Sequence, residues 1–342
     1  MTKKTLLIAG GALLLIALIA GGFLRQKIYS SSVTKDTELY VKTGTTFEEL
    51  EQQLGPLLAN PASFSWVAGL KKFKTPKAGK YELKKGMNND ELVNLLRSGR
   101  QTAIKVAFNN QDTLEKLAGR IATQIEADST ALITAFKDPD FLSKNNLNKA
   151  TVLAIFIPNS YQFYWNTSAE GFRNKMLKEY KRFWNKERLQ KAKALKLSPL
   201  EVSSLAAIVH KETAKISERP VVAGLYLNRL KKNMMLQADP TLIYCLKQLH
   251  GQDYVVKRVL SKDLTIASPY NTYQNTGVPP SPIGMPDISA IDAVLNHTKH
   301  NYYYMCASID KPGYHAFAKT LRQHNRNAIK YHKWINQQGI RR

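Results

Sequence analysis

The sequence predicts an α+β protein: one N-terminal transmembrane helix, then a small strand–helix module, then a larger mixed α/β domain. Three observations predict it. A run of twenty uncharged residues opens the chain, a strand–turn–helix unit then repeats, and amphipathic helical patterns with a proline-rich loop fill the remainder. At 342 residues the chain exceeds the length at which one hydrophobic core ordinarily stops growing. With 44% hydrophobic residues, 16 Tyr and 12 Phe it has ample material for folded cores.

The first element is Thr5–Leu24, TLLIAGGALLLIALIAGGFL, long enough as a helix to cross ~30 Å of hydrocarbon. Lys3 and Lys4 precede it, and Arg25 and Lys27 follow. A cleavable leader would carry a shorter apolar core and an A-x-A site, whereas here only Ala20-Gly21-Gly22 offers small residues. The flanking charges orient the helix weakly, but a short tail before a large body favours an N-terminus inside and an exported body. The expected layout is a tail at 1–4, an anchor at 5–24, a linker at 25–37, a module at 38–105 and the large domain at 106–342. The net charge of +24 implies an anionic neighbourhood: phospholipid headgroups, acidic wall polymers or nucleic acid. An exported body without a nucleic-acid-binding motif argues against nucleic acid.

Within the module, LYVKTGTTFEELEQQL (39–54) and YELKKGMNNDELVNLL (81–96) superpose, with Lys42 on Lys84, Gly44 on Gly86, Glu49 on Glu91 and Leu54 on Leu96. Each copy reads as a short alternating strand, a glycine turn and a capped helix; Thr46 with Glu49 fits a capping box. A looser third copy runs from Ile104 through Leu117. From its residues alone the module is a spacer or a glycan binder. In the large domain, Phe172–Lys193 is expected as one basic amphipathic helix with Phe172, Met176, Tyr180 and Phe183 on its core face.

LSPLEVSSLAAIVHKET has a well-marked helix start: Ser198 as N-cap, Pro199 at the first helical position and Glu201 closing the capping box. Its apolar face runs through Leu205, Ile208 and Val209, and the next position on that face is Glu212. A carboxyl there is costly unless paired or functional. Burial would raise its pKa and suit it to general acid work; the structural alternative is an ion pair with Arg219 or Arg229. Ser217 is expected to open a second helix through Leu230, which ends near Asn228 and Arg229. Gln237 and Asp239 then lead into a further helix; no second acid sits at pair distance from Glu212 on its own helix, so a two-carboxylate site is not indicated locally, although Asp239 could approach in space. The loop SPYNTYQNTGVPPSPIGMP (268–286) has five prolines and two glycines and suits a cleft wall. In it Tyr270 and Tyr273 could stack on sugar rings while Ser268, Asn271 and Thr272 bond hydroxyls, although each also fits ordinary turn chemistry. The seven histidines lack metal-ligand spacing, so no metal site is expected. Cys245 and Cys306 make neither a CxxC site nor a disulfide scaffold, which leaves a single bridge or two core thiols.

The segments IVHKET, VAGLYLNRL, MMLQADPTLIY, SPYNTY, GVPPSPIGMP and YHAFAKTLRQHNRN, in this order, resemble the MltG-type (YceG-like) endolytic murein transglycosylases. The resemblance runs from about Tyr40 to about Lys333 and includes a LysM-like module where the strand–helix repeats lie. It implies that Glu212 is the catalytic residue and that Asn228, Arg229, Gln237, Asp239, Ser268, Tyr270, Asn271, Thr272 and Tyr273 bind substrate. It also implies glycan strands of peptidoglycan as substrate, no cofactor, the bacterial inner membrane as location and wall-synthesis complexes as partners. Two departures stand out. His210 replaces a Glu common two residues before the catalytic one, and Leu153-Ala154 and Ile157-Pro158-Asn159-Ser160-Tyr161 diverge from the family pattern. Two alternatives stay open from the residues themselves: a hydrolytic muramidase and a non-catalytic glycan-binding scaffold.

Overall fold

The computed structural model describes residues 3–337. Met1 and Thr2 of the expected tail and residues 338–342 of the expected large domain lie outside the described residues. Helices and short strands follow one N-terminal apolar helix, and the chain divides into two compact units. Among the described residues, the first comprises 3–106 with the short segments 124–127 and 161–168; the second holds 107–123, 128–160 and 169–337.

The first unit opens with helix α1 (Lys3–Tyr29). Its Gly10–Tyr29 stretch is long and apolar enough to cross a membrane, and side chains such as Leu13 and Ile16 are exposed. The helix does not stop at Leu24. It runs on to Tyr29, with Ile28 packed on the module core and the Lys27 carbonyl accepting from Asn89 Nδ2 at 2.8 Å. The stretch expected as a linker, 25–37, is therefore part of the folded unit: Val33 is buried and bridges to Leu58.

Strand β1 (Thr37–Val41), α2 (Phe47–Leu54), α3 (Pro61–Leu70), β2 (Gly79–Leu83) and α4 (Asn89–Ser98) complete this unit. β1 and β2 pair antiparallel with Leu39 opposite Tyr81 and Glu38 opposite Glu82. The period-2 pattern thus sends Leu39, Val41, Tyr81 and Leu83 inward and the glutamates outward. Both α2 and α4 start with capping boxes, Thr46 with Glu49 and Asn88 with Glu91. Gly44 and Gly86 precede them at φ +84° and +88°, a left-handed turn that a side chain would strain. Leu54 and Leu96 are both buried, so the two copies share a glycine turn, a capping box and a buried leucine in the helix that follows.

Further elements are β3 (Ile104–Phe108), α5 (Leu114–Ala122), α6 (Ser129–Phe136), α7 (Pro139–Lys144), β4 (Asn159–Phe163), α8 (Ala169–Phe183), α9 (Lys186–Ala194) and α10 (Pro199–Glu212). They are followed by α11 (Arg219–Lys231), α12 (Asp239–His250), α13 (Ile288–Leu295), β5 (Tyr304–Ala307), β6 (His315–Ala318) and α14 (Leu321–Gln337). The helix expected over Phe172–Lys193 is two helices, because Asn185 caps α9 by accepting from Arg188 N–H. Phe172 and Met176 are buried as expected, and Tyr180 and Phe183 pack partly against the core.

α10 is the centre of the second unit, with α9, α11, α12 and α13 packed around it. Val202, Leu205, Ala206, Ala207, Ile208 and Val209 are all buried, so this helix is apolar on nearly every side. Its Ser198 capping box forms as the sequence predicts. The second helix differs: α11 begins at Arg219, and Glu218, not Ser217, occupies the N-cap without a capping bond from its side chain. β5 and β6 form an antiparallel hairpin with Ala307 opposite His315, and α14 packs against it. Cys245 and Cys306 are both free.

Candidate active site

Glu212 is the last residue of α10, where the buried helix surfaces into a cleft of about 230 Å³. Its walls are Leu225, Tyr226 and Arg229 of α11, Leu236 and Gln237, Asp239 of α12, Tyr273, Met305 to Ala307 of β5, and His315 of β6. The end of α10 is held by Arg219, whose Nε donates to the Thr213 carbonyl while its Nη1 donates to both oxygens of Asp287 at 2.7 Å. His210 Nδ1 lies 3.2 Å from the same carboxylate. Burial works to raise the Asp287 pKa, but hydrogen bonds from His210 and Arg219 hold it well below the usual carboxylate range. That cluster answers the structural alternative for Glu212. Arg219 is spent on Asp287, and no basic side chain among the described residues lies within ion-pair distance of Glu212.

The partner of Glu212 is instead Tyr226, whose hydroxyl donates to Oε1 at 2.7 Å. Tyr226 is itself buried. Burial pushes the Glu212 carboxyl up to about 7, against the pull of the Tyr226 hydrogen bond, and the nearby Asp239 charge adds to the rise. A group with that midpoint can both give and accept a proton near neutral pH.

The remaining predicted residues fall into three sets. Arg229, Gln237, Asp239 and Tyr273 join Glu212 in the cleft. Arg229 is buried and donates to the carbonyls of Tyr303, Met235 and Leu236 and to Gln237 Oε1. Gln237 sits at φ +50°, a strained backbone for this residue type, pinned by its N–H to the Thr272 carbonyl. Tyr273 donates its hydroxyl to Asp239 at 2.7 Å, and burial pushes its own pKa up.

Asn228, Asn271 and Thr272 each hydrogen-bond to other parts of the protein. Asn228 Nδ2 donates to the carbonyls of His300 and Tyr302. Asn271, fully buried, ties Leu264 and Ile266 to Tyr273, and Thr272 Oγ1 meets Ala238 N–H and Thr241 Oγ1. None of these three is among the residues that line the cleft. Ser268 and Tyr270 line a different cavity, of about 580 Å³, with Lys137 and Lys149. There Tyr270 bonds Ser281 and packs against Tyr244.

Sequence reasoning missed Tyr226, His315 and Cys306 as cleft residues. Tyr226 and His315 stand inside the segments VAGLYLNRL and YHAFAKTLRQHNRN, so their neighbourhood was marked though their roles were not. His315 is fixed from behind: its backbone N–H and its Nδ1 meet the two oxygens of Glu218 at 2.6 and 2.9 Å.

A protonatable carboxyl at the surfacing end of a buried helix, in a polar cleft beside tyrosines and an arginine, is the arrangement of an acid/base enzyme. The chain belongs to the YceG-like family, which it matches over residues 39–330. It is 29% identical over 336 residues to the endolytic murein transglycosylase of Bacillus subtilis (strain 168), covering 92% of this chain and 91% of that protein. The endolytic murein transglycosylase of Streptococcus pneumoniae (serotype 2, strain D39) is 26% identical, with 93% of this chain and 63% of that protein covered. A crystal structure of a yceG-like protein from Listeria monocytogenes superposes with a TM-score of 0.57 at 28% identity, over 85% of this chain and 98% of that one.

Proposed function

We propose that this chain is an endolytic peptidoglycan lytic transglycosylase, cutting the β-1,4 bond between N-acetylmuramic acid and N-acetylglucosamine to leave 1,6-anhydro ends. The observation that carries the reading is Glu212: a half-buried carboxyl with its pKa near 7, hydrogen-bonded to Tyr226 and free of any ion pair within reach among the described residues. As general acid, Glu212 protonates the leaving glycosidic oxygen while the bond to C1 breaks. As general base, it then takes the proton from the C6 hydroxyl of the muramoyl sugar as that oxygen bonds C1. The nucleophile belongs to the substrate and is already close, so its effective concentration far exceeds that of a random encounter. Tyr226 orients the carboxyl, and Arg229, Gln237, Asp239 and Tyr273 bind the strand across the cleft.

The relatives, endolytic murein transglycosylases of Bacillus subtilis and Streptococcus pneumoniae, support this reaction for the chain. The apolar α1 supports a single-pass anchor, for which we propose the cytoplasmic membrane, the N-terminus inside and the body outside. The module at 38–105 is proposed to be LysM-like and to hold glycan, the region 106–342 to be catalytic, and the whole to work beside wall-synthesising complexes that supply nascent strands. The test is digestion of purified uncrosslinked strands by the detergent-solubilised chain, with mass spectrometry of the new ends. Internal fragments with 1,6-anhydro ends support the reading. Reducing ends would replace it with a hydrolytic muramidase in which Asp239 activates water, and binding without cleavage would leave a scaffold.

A further inference from the structure

Glu218 is a buried carboxylate with no part in the chemistry above. It is 4% exposed, it occupies the N-cap of α11 without capping it, and its side chain reaches β6 instead. There one oxygen accepts the His315 backbone N–H at 2.6 Å and the other meets Nδ1 at 2.9 Å. A carboxylate accepting through both oxygens offers no proton, so Nδ1 must carry the hydrogen of that second bond. In the neutral ring, a hydrogen on Nδ1 leaves the lone pair on Nε2. Nδ1 is turned to the buried carboxylate, and His315 lines the cleft that also holds Glu212, Tyr226, Arg229, Asp239 and Tyr273.

We infer that His315 Nε2 accepts a hydrogen bond from the C6 hydroxyl of the muramoyl sugar, and that Glu218 positions the ring for this. The inference rests on the transglycosylase reading and adds what decides between its two nucleophiles. A hydroxyl held by an acceptor of fixed direction spends more time aligned on C1, whereas water needs no such guide. The proton balance is unchanged: while Glu212 is still protonated the single hydrogen of the hydroxyl points to Nε2, and once Glu212 has given its proton to the leaving oxygen that hydrogen turns to the new carboxylate and passes to it as the hydroxyl oxygen bonds C1, so His315 ends as it began. His315 is therefore a catalytic residue by contact, Glu218 a positioning residue behind it, and their common product is the preference for anhydro over reducing ends.

The test compares full-length wild type, His315→Ala, His315→Gln and Glu218→Gln in detergent on purified strands, scoring the ratio of anhydro to reducing ends. Loss of one guiding hydrogen bond should lower that ratio about tenfold in His315→Ala, and less in Glu218→Gln. His315→Gln, which keeps a side-chain acceptor, should fall between His315→Ala and wild type. The partly exposed His315 is the safer site to alter, and thermal melting checks that each variant is folded. Folded variants that cut more slowly with an unchanged ratio would overturn the inference, since a purely structural role alters rate alone. Wild type making no anhydro ends would instead overturn the transglycosylase reading on which it stands.

Discussion

At the scale of single residues, Glu212 is held in a way that opposes stability. Its pKa rises from the ordinary 4.5 to about 7 chiefly through burial, so the folded chain binds this proton more tightly than the unfolded chain does. A raised pKa in the folded state gives stability that is full below about 4.5 and is lost as pH rises through about 7. Glu212→Gln removes that dependence and should melt a few degrees above wild type at pH 8, with the gap closing toward pH 5. Catalysis runs in the same direction. The acid must start protonated, so kcat/KM should fall as pH rises beyond about 7, while Glu212→Gln should cost roughly a hundredfold or more at any pH. A pH series of cleavage rates and melting curves on the two proteins checks both. Tyr226→Phe deletes the hydroxyl that favours the ionised carboxylate, so it should move the activity limb upward in pH.

At the scale of elements, α11 presents Tyr226 and Arg229 to the cleft because its other side fits tightly against the chain before β5. Gly224 is the point of closest approach: a Cβ there would collide with the Thr298 carbonyl and with His300 Nε2, 2.8 Å away. Gly224→Ala should therefore destabilise by about 1–3 kcal/mol, read as a lower urea midpoint with unchanged m. How much of this was legible in the sequence depended on range. Ser198, Pro199 and Glu201 specify a helix start within four residues, and the structure has it there. Asn185 was missed as a cap because the Lys-rich flanks around it read as one continuous helix. Ser217 was expected as a cap because its type is right, but Glu218 takes the position and turns its side chain to His315, nearly a hundred residues on in the chain. Asn271 and Thr272 looked like exposed loop donors. Their partners, Leu264, Ile266, Ala238 and Thr241, come together only on folding, and no local pattern announces that.

At the scale of the whole molecule, the apolar run was legible because twenty residues pass without a charge, and the doubled strand–helix unit because its pattern recurs. The join between them was not, since 25–37 is polar enough to pass for a linker. In the structure α1 is fastened to the module through Ile28 and the Lys27 carbonyl. A chain beginning at Ser30 should therefore be less stable than one beginning at Gln26 by about 1–2 kcal/mol, measured by urea unfolding, even though neither keeps the apolar span. Likewise, the complete chain should stay with uncharged phosphatidylcholine vesicles through a high-salt wash, and the chain from Gln26 should not, because salt screens charge but leaves apolar burial intact.

The central claim is that Glu212 cuts glycan from within by passing one proton out and back. The most direct measurement is mass spectrometry of long purified strands after incubation with the full-length protein, wild type beside Glu212→Gln. Internal fragments bearing 1,6-anhydro ends with wild type, and intact strands with the variant, are the expected result. Equal cleavage by both proteins would contradict it and move the chemistry away from Glu212.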